Sequence, residues 1–354
     1  MLENWLKPID TNDLFDQLPF SDEQIGEHIV KHTTQFPSLQ GVHVAIIGAA
    51  SSSDLIRKNF YRMQNISDEI KIVDLGNLQN EKENTINIVV TELLSQNIIP
   101  IFLGIENSAI PAYVKSIHSK EHAGPSHPLF VDERIGYGKS FSRSYLNPLL
   151  ESETPIVSEV SVIGYQMHYS DIKLTQSIKT PVHALRLGQL KSNLKSVEPY
   201  IRDTHCLFFM MSALKHAEAP AQDKSNPSGL LSEEACQICK YAGLNNDMQS
   251  LLIGHYNLEH DHYNQTVEVI SQMIWYFIHG ISNRFDEIEE EWVKYMINLE
   301  EEDANFTFYK SNISGRWWVS SDMQKHALKR ACSYEDYLSS IKSHISDRLI
   351  DLFH

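Results

Sequence analysis

The sequence predicts an α/β protein, a three-layer sandwich in which helices cover both faces of a mainly parallel β-sheet. Between about residues 41 and 280, short apolar and β-branched stretches alternate with stretches of helical periodicity. Stretches 41–48 and 97–103 are apolar enough for burial on both faces, and a glycine ends or follows each of them. A polar cluster comes directly after the second stretch. This is the position at which parallel α/β sheets carry their ligands.

The elements of this central part are predicted in order along the chain. Strands are expected at 41–48, 70–76, 97–103, 128–132, 156–164, 182–187, 206–211 and 251–254. Helices are expected at 55–63, 85–96, 109–119, 187–200, 232–242 and 266–279. We expect 251–254 to be the last strand of the sheet, covered by the long helix at 266–279.

The two ends of the chain differ in composition from this central part. Residues 1–40 are polar and interrupted by prolines, so we expect an N-terminal arm with one or two short helices. Beyond Gly280 the chain becomes acidic, and stretches 306–309 and 316–320 flank a turn sequence, which predicts a hairpin. Residues 333–353 have the pattern of one or two amphipathic helices. The predicted parts are the arm at 1–40, the α/β domain at 41–280 and a C-terminal appendage at 281–354, packed on the domain.

Charge and composition argue against several classes of function. The 354 residues carry a formal net charge of -16, which disfavours nucleic acid or an anionic membrane as the main partner. Four cysteines are too few for a disulfide framework in a chain of this length. The start of the chain lacks the pattern of a signal peptide, and the most apolar predicted helix is too short to span a bilayer. We therefore expect a soluble, cytoplasmic protein.

Two local patterns suggest sites but have simpler explanations. Gly48 ends a strand before a serine-rich turn, but the further glycines of a phosphate-binding loop are missing. Serines that cap a helix are the simpler interpretation. Cys236 and Cys239 are spaced like half of a zinc or redox site, but they lie within a predicted helix without a second pair nearby. This favours two half-buried thiols.

Several short motifs together resemble one enzyme family. In order and spacing they are similar to motifs of the ureohydrolases, the family of arginase, agmatinase and formimidoylglutamase, and most similar to the formimidoylglutamase-like branch. The resemblance covers about residues 40 to 280 and implies an arginase-like fold. The motifs are Asp74-Leu-Gly76, Leu103-Gly-Ile-Glu-Asn-Ser108, Phe130-Val-Asp132, Ala219-Pro220 with Pro227-Ser-Gly-Leu230, and Asn257 with Asp261 and Thr266.

The resemblance also implies a metal centre whose ligands this chain does not retain. Enzymes of the family hold two Mn²⁺ ions with two histidines and four aspartates, and a hydroxide shared by the two ions attacks the substrate carbon. Of the six ligand positions only Asp132 is kept. Asn107, Arg134, Met210 and Ser212 stand at others, and the arginine would repel cations. We therefore expect no metal or other cofactor, and a ureohydrolase fold that has lost its chemistry.

The resemblance implies that a former pocket remains at these positions. Arg134 has two interpretations there. It could fill the old metal cavity in an ion pair with Asp132 or Glu106, which we favour because unpaired carboxylates would otherwise repel one another. Alternatively, it could bind an anion. The predicted pocket residues are Glu106, Asn107, Asp132, Arg134, Met210, Ser212 and His255, the last lying over a substrate-binding glutamate of the family.

Three other groups of residues are candidates for function. A replacement metal site could be built from His255, His260, Asp261 and His262, although this spacing does not aim both flanking histidines at one ion. A polar loop, in which Asp261 caps the next helix, is the simpler interpretation. Arg316, Trp317 and Trp318 are expected to anchor the appendage on the core, or alternatively to form a partner surface. The acidic stretch 286–291 is expected to be a solvated helix face.

These observations lead to three hypotheses about function. The first is a non-catalytic ureohydrolase-like protein that acts by binding, as a scaffold, a regulator or a subunit of a complex. The second is a hydrolase of linear C–N amidine or guanidine bonds, such as formimidoylglutamase, with a different metal arrangement. The third is a sensor that binds a small anion through Arg134. We expect a protein partner or a homo-oligomer, since ureohydrolases often assemble, and no nucleic acid or membrane insertion.

Overall fold

A ten-stranded sheet lies at the centre of the computed structural model. The structure describes residues 2–10, 19–49, 53–118, 125–138, 144–152, 156–170, 173, 178–222, 224–299, 304–322, 328–342 and 344–353. The strands of this sheet are β1 (Leu6–Lys7), β2 (Val30–Lys31), β3 (Val44–Gly48), β4 (Ile72–Leu78), β5 (Ile99–Ile105), β6 (Pro128–Val131), β7 (Val160–Tyr165), β8 (Val182–Arg186), β9 (Cys206–Met210) and β10 (Ser250–Gly254).

The sheet is parallel except at one edge. Its strand order is β1-β4-β3-β5-β10-β9-β6-β7-β8, with β2 also paired to β4, and only β1 runs antiparallel to its neighbour within the described residues. The predicted α/β class with a mainly parallel sheet is therefore confirmed. β10 is the last strand of this sheet along the chain, as expected, but it lies in the middle, between β5 and β9. The N-terminal arm adds β1 and β2, which we did not predict.

Helices cover both faces of the sheet. They are α1 (Ile25–His28), α2 (Ser53–Phe60), α3 (Glu83–Ser95), α4 (Ile110–His118), α5 (Asn147–Leu150), α6 (Leu187–Ser192), α7 (Glu198–Arg202), α8 (Ser232–Gly243) and α9 (Gln265–Ser282). Side chains alternate between two buried apolar clusters, as Val44 and Ile46 pack with α2, α8 and α9, whereas Ala45 and Ile47 pack with α3 and α4. The three-layer arrangement follows from this alternation.

One predicted helix, 187–200, is wrong. The chain forms α6, a 3₁₀ turn at Leu194–Val197, and α7 instead. Asn193 is extended, with φ -155° and ψ 94°, and its side chain accepts a hydrogen bond from the backbone N–H of Lys195. Pro199 then lies in the first turn of α7, where its missing N–H is tolerated. An asparagine that caps a new turn has ended the first helix.

The appendage is a second, four-stranded antiparallel sheet with two helices. Its elements are β11 (Val293–Leu299), β12 (Ala304–Lys310), β13 (Trp317–Ser321), β14 (Arg330–Cys332), α10 (Tyr334–Ile341) and α11 (Asp347–Phe353). The predicted hairpin is confirmed by the pairing of β12 with β13, while β11 and β14 were not predicted. The predicted acidic helix is wrong, because only Glu289–Glu291 forms one 3₁₀ turn before β11 begins. These glutamates are exposed, as expected.

Charged and aromatic side chains join the appendage to the core. Arg202 of α7 donates from Nη1 to the carbonyl oxygen of Trp317 (2.7 Å), and its guanidinium lies 4.5 Å from the ring centre of Trp318. Arg316 Nε lies 3.2 Å from Oε1 of Glu198, which also pairs with Arg202. Arg316, Trp317 and Trp318 therefore lie at the contact between the appendage and the core.

The thiols of α8 and the apolar helices are the last features of the fold. Cys236 and Cys239 are free thiols within α8, more deeply buried than the half-buried thiols predicted, and burial raises the pKa of the Cys236 thiol to about 12. In the part of the chain that the structure describes, no helix has the length and apolar character needed to cross a membrane.

Candidate functional site

The candidate site lies where four neighbouring strands end. Asn107 follows β5, His255 follows β10, Ser212 follows β9 and Asp132 follows β6. In the sheet these strands are adjacent, in the order β5-β10-β9-β6. Because they run parallel, their carboxyl ends meet at one edge, and residues far apart in sequence come together there.

Asp132 is the centre of the site and both of its carboxylate oxygens accept hydrogen bonds. Asp132 is buried, with 1% of its surface exposed. Tyr145 donates its hydroxyl to Oδ2 at 2.9 Å, and Ser212 donates its hydroxyl to Oδ1 at 2.9 Å. A buried carboxylate requires such donors, since a charge without them is costly to bury. The sequence indicated Asp132 and Ser212 but not Tyr145, for which no local pattern gives a signal.

The contacts continue from Ser212 through His255 to Asn107. Ser212 Oγ lies 3.1 Å from Nδ1 of His255, and the Nε2 atom of the same ring contacts the side-chain oxygen of Asn107. Ser212 has a single proton, which it donates to Asp132, so its oxygen is free to accept from an N–H at Nδ1. Five side chains from separate segments thus form one continuous chain: Tyr145, Asp132, Ser212, His255 and Asn107.

The backbone at His255 has an uncommon conformation. Its φ is 62°, in the left-handed region that residues with a Cβ rarely adopt. The register of β10 against β5 shifts between Ile253 and Gly254, immediately before it. A Cβ at Gly254 would lie 2.8 Å from the carbonyl oxygen of Ile105, so this close approach requires glycine. Local strain of this kind is concentrated at sites that once had, or still have, a function.

Arg134 lies beside the chain of contacts and has a different partner from the one expected. We expected an ion pair with Asp132 or Glu106, but Arg134 Nε lies 3.1 Å from Oε1 of Glu133. Its guanidinium also lies 4.5 Å from the ring centre of Tyr169. Glu133 is buried and accepts a second hydrogen bond from Asn226 (2.7 Å). The neighbouring carboxylate therefore offsets the positive charge that the sequence places here.

Two predicted pocket residues do not join this network. Met210 ends β9 with its side chain in the apolar cluster that packs against α3 and α4, because side chains alternate along a strand. Glu106 is exposed, and its backbone N–H donates to Oε2 of Glu81 at 3.2 Å. The pKa of Glu81 is raised to about 7, mainly by burial; the hydrogen bond from the Glu106 N–H lowers it, and the charge of Glu106 raises it. No sequence pattern indicated Glu81.

The alternative metal site is not assembled. The ring nitrogens of His255 contact Ser212 and Asn107, whereas His260 and His262 are exposed. Asp261 accepts from the backbone N–H of Val267 (2.9 Å) in the first turn of α9, the capping role that the simpler interpretation gave it. Over the described residues, no group of three or more histidines, cysteines and acids is placed to hold a metal ion.

A pair of manganese ions does not fit the residues at the strand ends. Mn²⁺ prefers carboxylate oxygens and imidazole, and two divalent cations need several anionic ligands. Asp132 supplies one carboxylate, and two hydroxyl groups already donate to it. Neutral Ser212 and Asn107 lie next to it, and the Glu133 carboxylate is engaged by Arg134 and Asn226. The donor set is that of a closed polar network.

Comparisons with known proteins show a structural likeness and no sequence match. No protein-family model matches the chain, and no curated protein matches it. Among solved structures, formiminoglutamase from Trypanosoma cruzi, determined with Mn²⁺, superposes with a TM-score of 0.63 at 16% identity, covering 71% of this chain and 97% of that one. Formimidoylglutamase from Bacillus subtilis gives 0.62 at 17% identity, covering 78% and 96%.

A third solved structure, named for a different activity, has a similar fold. Agmatine ureohydrolase of Thermoplasma volcanium superposes with a TM-score of 0.55 at 16% identity, covering 74% of this chain and 95% of that one. Nearly the whole of each neighbour is matched, so the likeness extends over a complete domain. At such low identity it establishes the fold alone. The chain has the fold of the arginase superfamily, with an added antiparallel sheet at its C-terminal end.

Proposed function

We propose that this protein is a ureohydrolase-like member of the superfamily that does not catalyse hydrolysis and acts by binding, as a scaffold, a regulator or a subunit of a complex. One observation carries the proposal. Asp132 is the single carboxylate kept from the family's ligand positions. Both of its oxygens accept hydrogen bonds, from the hydroxyl groups of Tyr145 and Ser212. A carboxylate so engaged is part of the internal structure of the protein rather than an open ligand.

The energetics favour this network over a metal pair. A hydrogen bond to a charged group contributes about 1.5–3 kcal/mol, so the two donors to Asp132 together resist displacement. Two divalent cations in its place would bring four positive charges against one carboxylate. Ser212 and Asn107 would offset none of that charge. The buried site is therefore more stable with its own hydroxyl and amide groups than with metal.

The anion-sensor hypothesis gains no support from the geometry. A sensor would need Arg134 to present its charge to a ligand, yet Glu133 pairs with it and Tyr169 covers one face of its guanidinium. Glu133 is itself buried, so its negative charge is little screened by solvent. The network favours a structural role for Arg134.

Metal content and turnover test the proposal. The protein would be purified without chelator from medium supplemented with manganese, and its metals measured by mass spectrometry. We expect less than about a tenth of an equivalent of any transition metal, because the ligands for a tight site are missing. With Mn²⁺ added, we expect no product from formimidoylglutamate, agmatine or arginine.

The variant Asp132→Asn serves as the matched control. It removes the charge of the carboxylate while keeping its shape, so its metal content should equal that of the unmodified protein if Asp132 is not a ligand. One to two equivalents of manganese or zinc that disappear in Asp132→Asn would overturn the proposal. Turnover that depends on the same residue would favour the hydrolase hypothesis instead.

A further inference from the structure

β11 forms one edge of the appendage sheet. It pairs with β12 over its whole length, in a register that runs without a bulge from Val293 opposite Lys310 to Leu299 opposite Ala304. On its other side, the described part of the chain provides no neighbouring strand. A regular edge of seven residues leaves alternate backbone N–H and C=O groups without a strand partner.

This edge lacks most of the features that protect edges from pairing. It contains no proline and no bulge, and Lys294 is its one charged residue. Met296 is 87% exposed and Val293 is 39% exposed. On the face opposite Met296, Tyr295 and Ile297 pack against the buried cluster of the appendage and hold the strand in place. Among the described residues, the edge is therefore both open and anchored to the core of the appendage.

The charges around the edge favour a basic partner. Glu289, Glu290 and Glu291 lie one residue before β11, and all three are exposed. Glu289 pairs with Lys329, so Glu290 and Glu291 carry the charge argument. The chain as a whole has a net charge of -16. Complementary charge at an interface selects the partner and speeds association, while like charges placed opposite each other disfavour it.

We propose that β11 binds an extended segment of a partner protein, apolar at alternate positions and rich in lysine or arginine at its ends, which adds a fifth strand to the appendage sheet. Main-chain hydrogen bonds would supply the affinity, and the acidic turn would supply the preference for basic ends. This extends the proposed binding role by naming the surface and the chemistry of the partner. It does not depend on the metal content of the other site.

A second copy of the chain fits the edge less well. A homodimer would bring together two chains that each carry a net charge of -16, and like charges repel each other across an interface. Charge therefore selects against the homodimer at this edge.

Peptide binding by the full chain tests the proposal. The probe is a fluorescent peptide, Lys-Lys-Val-Thr-Val-Thr-Val-Lys-Lys, titrated by anisotropy at low ionic strength. The first control peptide has the same charges with proline in place of the central valine, which prevents strand pairing. The second carries glutamates in place of the lysines. We expect the fluorescent peptide to bind well and to slow amide exchange at residues 293–299. Neither control peptide should bind well.

Two matched variants separate this edge from general attraction between opposite charges. Glu290→Lys with Glu291→Lys reverses the charge beside β11 and should weaken binding about tenfold or more. Glu23→Lys with Glu69→Lys changes the net charge by the same amount at exposed positions of the α/β part, and should change the affinity less than about twofold. Neither pair lies in the site around Asp132.

Three outcomes would overturn the proposal. Equal binding of the proline peptide would show that strand pairing is not involved. Equal weakening by both pairs of lysine substitutions would show attraction to net charge alone. Sedimentation as a dimer, with protection of residues 293–299 before any peptide is added, would show that a second copy occupies the edge. None of these results would bear on the metal content, so the non-catalytic proposal would stand.

Discussion

The pKa of the Glu81 carboxyl group is shifted by its surroundings in the folded protein. Burial is the main cause that raises its pKa from 4.5 to about 7. Between these values the folded protein keeps a proton that the unfolded chain has lost. Unfolding then releases that proton. Ionisation of Glu81 therefore lowers the free energy of unfolding as the pH rises from 4.5 to about 7. The full destabilisation is present above about pH 7.

The variant Glu81→Gln should remove this pH dependence. Glutamine keeps an oxygen that can accept the backbone N–H of Glu106, but it carries no charge to desolvate. Relative to the unmodified protein, we expect little change in the free energy of unfolding at pH 5 and a gain on the order of 1–2 kcal/mol at pH 8, after allowance for residual hydration. Urea denaturation at the two pH values measures it.

The control for this prediction is Glu83→Gln. Glu83 begins α3 close by in sequence, but its side chain is 66% exposed and pairs with Lys115 at the surface. Its substitution should change stability by less than about 0.5 kcal/mol at either pH. A Glu81→Gln effect of the same size at pH 5 and pH 8 would contradict the expectation that Glu81 ionises between them.

At the residue scale, sequence reasoning found the positions of the site but not its contacts. Asn107, Asp132, Ser212 and His255 were identified because they stand at motif positions of the family that the sequence resembles, and they do come together. Tyr145 was missed, because a tyrosine in a loop carries no periodic signal that relates it to a distant carboxylate.

At the scale of elements, two helices approach each other through glycine. α8 and α9 pack so closely that a Cβ at Gly280 would lie 2.5 Å from the carbonyl oxygen of Lys240 and 2.8 Å from the Cα of Gly243. A Cβ at Gly243 would lie 2.0 Å from the carbonyl oxygen of Phe277. Backbone atoms cannot give way as a flexible side chain does, so the packing distance requires both glycines.

Gly280→Ala should therefore destabilise the protein. Alanine favours a helix by up to about 1 kcal/mol over glycine, but separating α8 from α9 costs more, so we expect a net loss of about 1–3 kcal/mol. Thermal or urea unfolding measures this. As the control, Gly188→Ala in α6 adds a methyl group with no atom within 4 Å, and should leave stability unchanged or raise it slightly. A Gly280→Ala protein as stable as the control would contradict the close packing.

Element prediction succeeded where burial is continuous and failed where a polar side chain intervened. The five residues of β3 are all buried, which makes the strand recognisable from composition. The predicted helix over 187–200 had acceptable periodicity. It is interrupted at Asn193, whose side chain accepts a hydrogen bond from the backbone N–H of Lys195. β11 was missed because the acidic residues before it suggested a helix face.

At the scale of the whole molecule, Glu198 links the appendage to the core. It pairs with Arg202 on its own helix and with Arg316 of the appendage, at 18% side-chain exposure. Burial alone would raise its pKa, but the guanidinium groups of Arg202, Arg316 and Arg348 hold the pKa of Glu198 below its usual value. Its stabilising effect is therefore present above about pH 4.5 and lost as the pH falls below that.

Glu198→Gln should loosen the contact between the two parts. It leaves the charges of Arg202 and Arg316 partly buried without their carboxylate, which we expect to cost about 2–4 kcal/mol. Hydrogen exchange should become faster in β13 and β14 while the central strands of the main sheet stay protected. Glu92→Gln, an exposed change on α3, is the control and should leave exchange unchanged. Uniform acceleration throughout the chain would indicate general destabilisation rather than loss of this contact.

The sequence by itself determined the class of the fold, most of its strands and helices, and the loops that carry the site. These features depend on burial patterns, propensities and caps, which involve residues close together in the sequence. Tertiary structure alone decided that β10 lies between β5 and β9, that Tyr145 and Ser212 bond to Asp132, and that Arg134 pairs with Glu133. Such contacts join residues that only the packed sheet brings together, and the position of each depends on every other element.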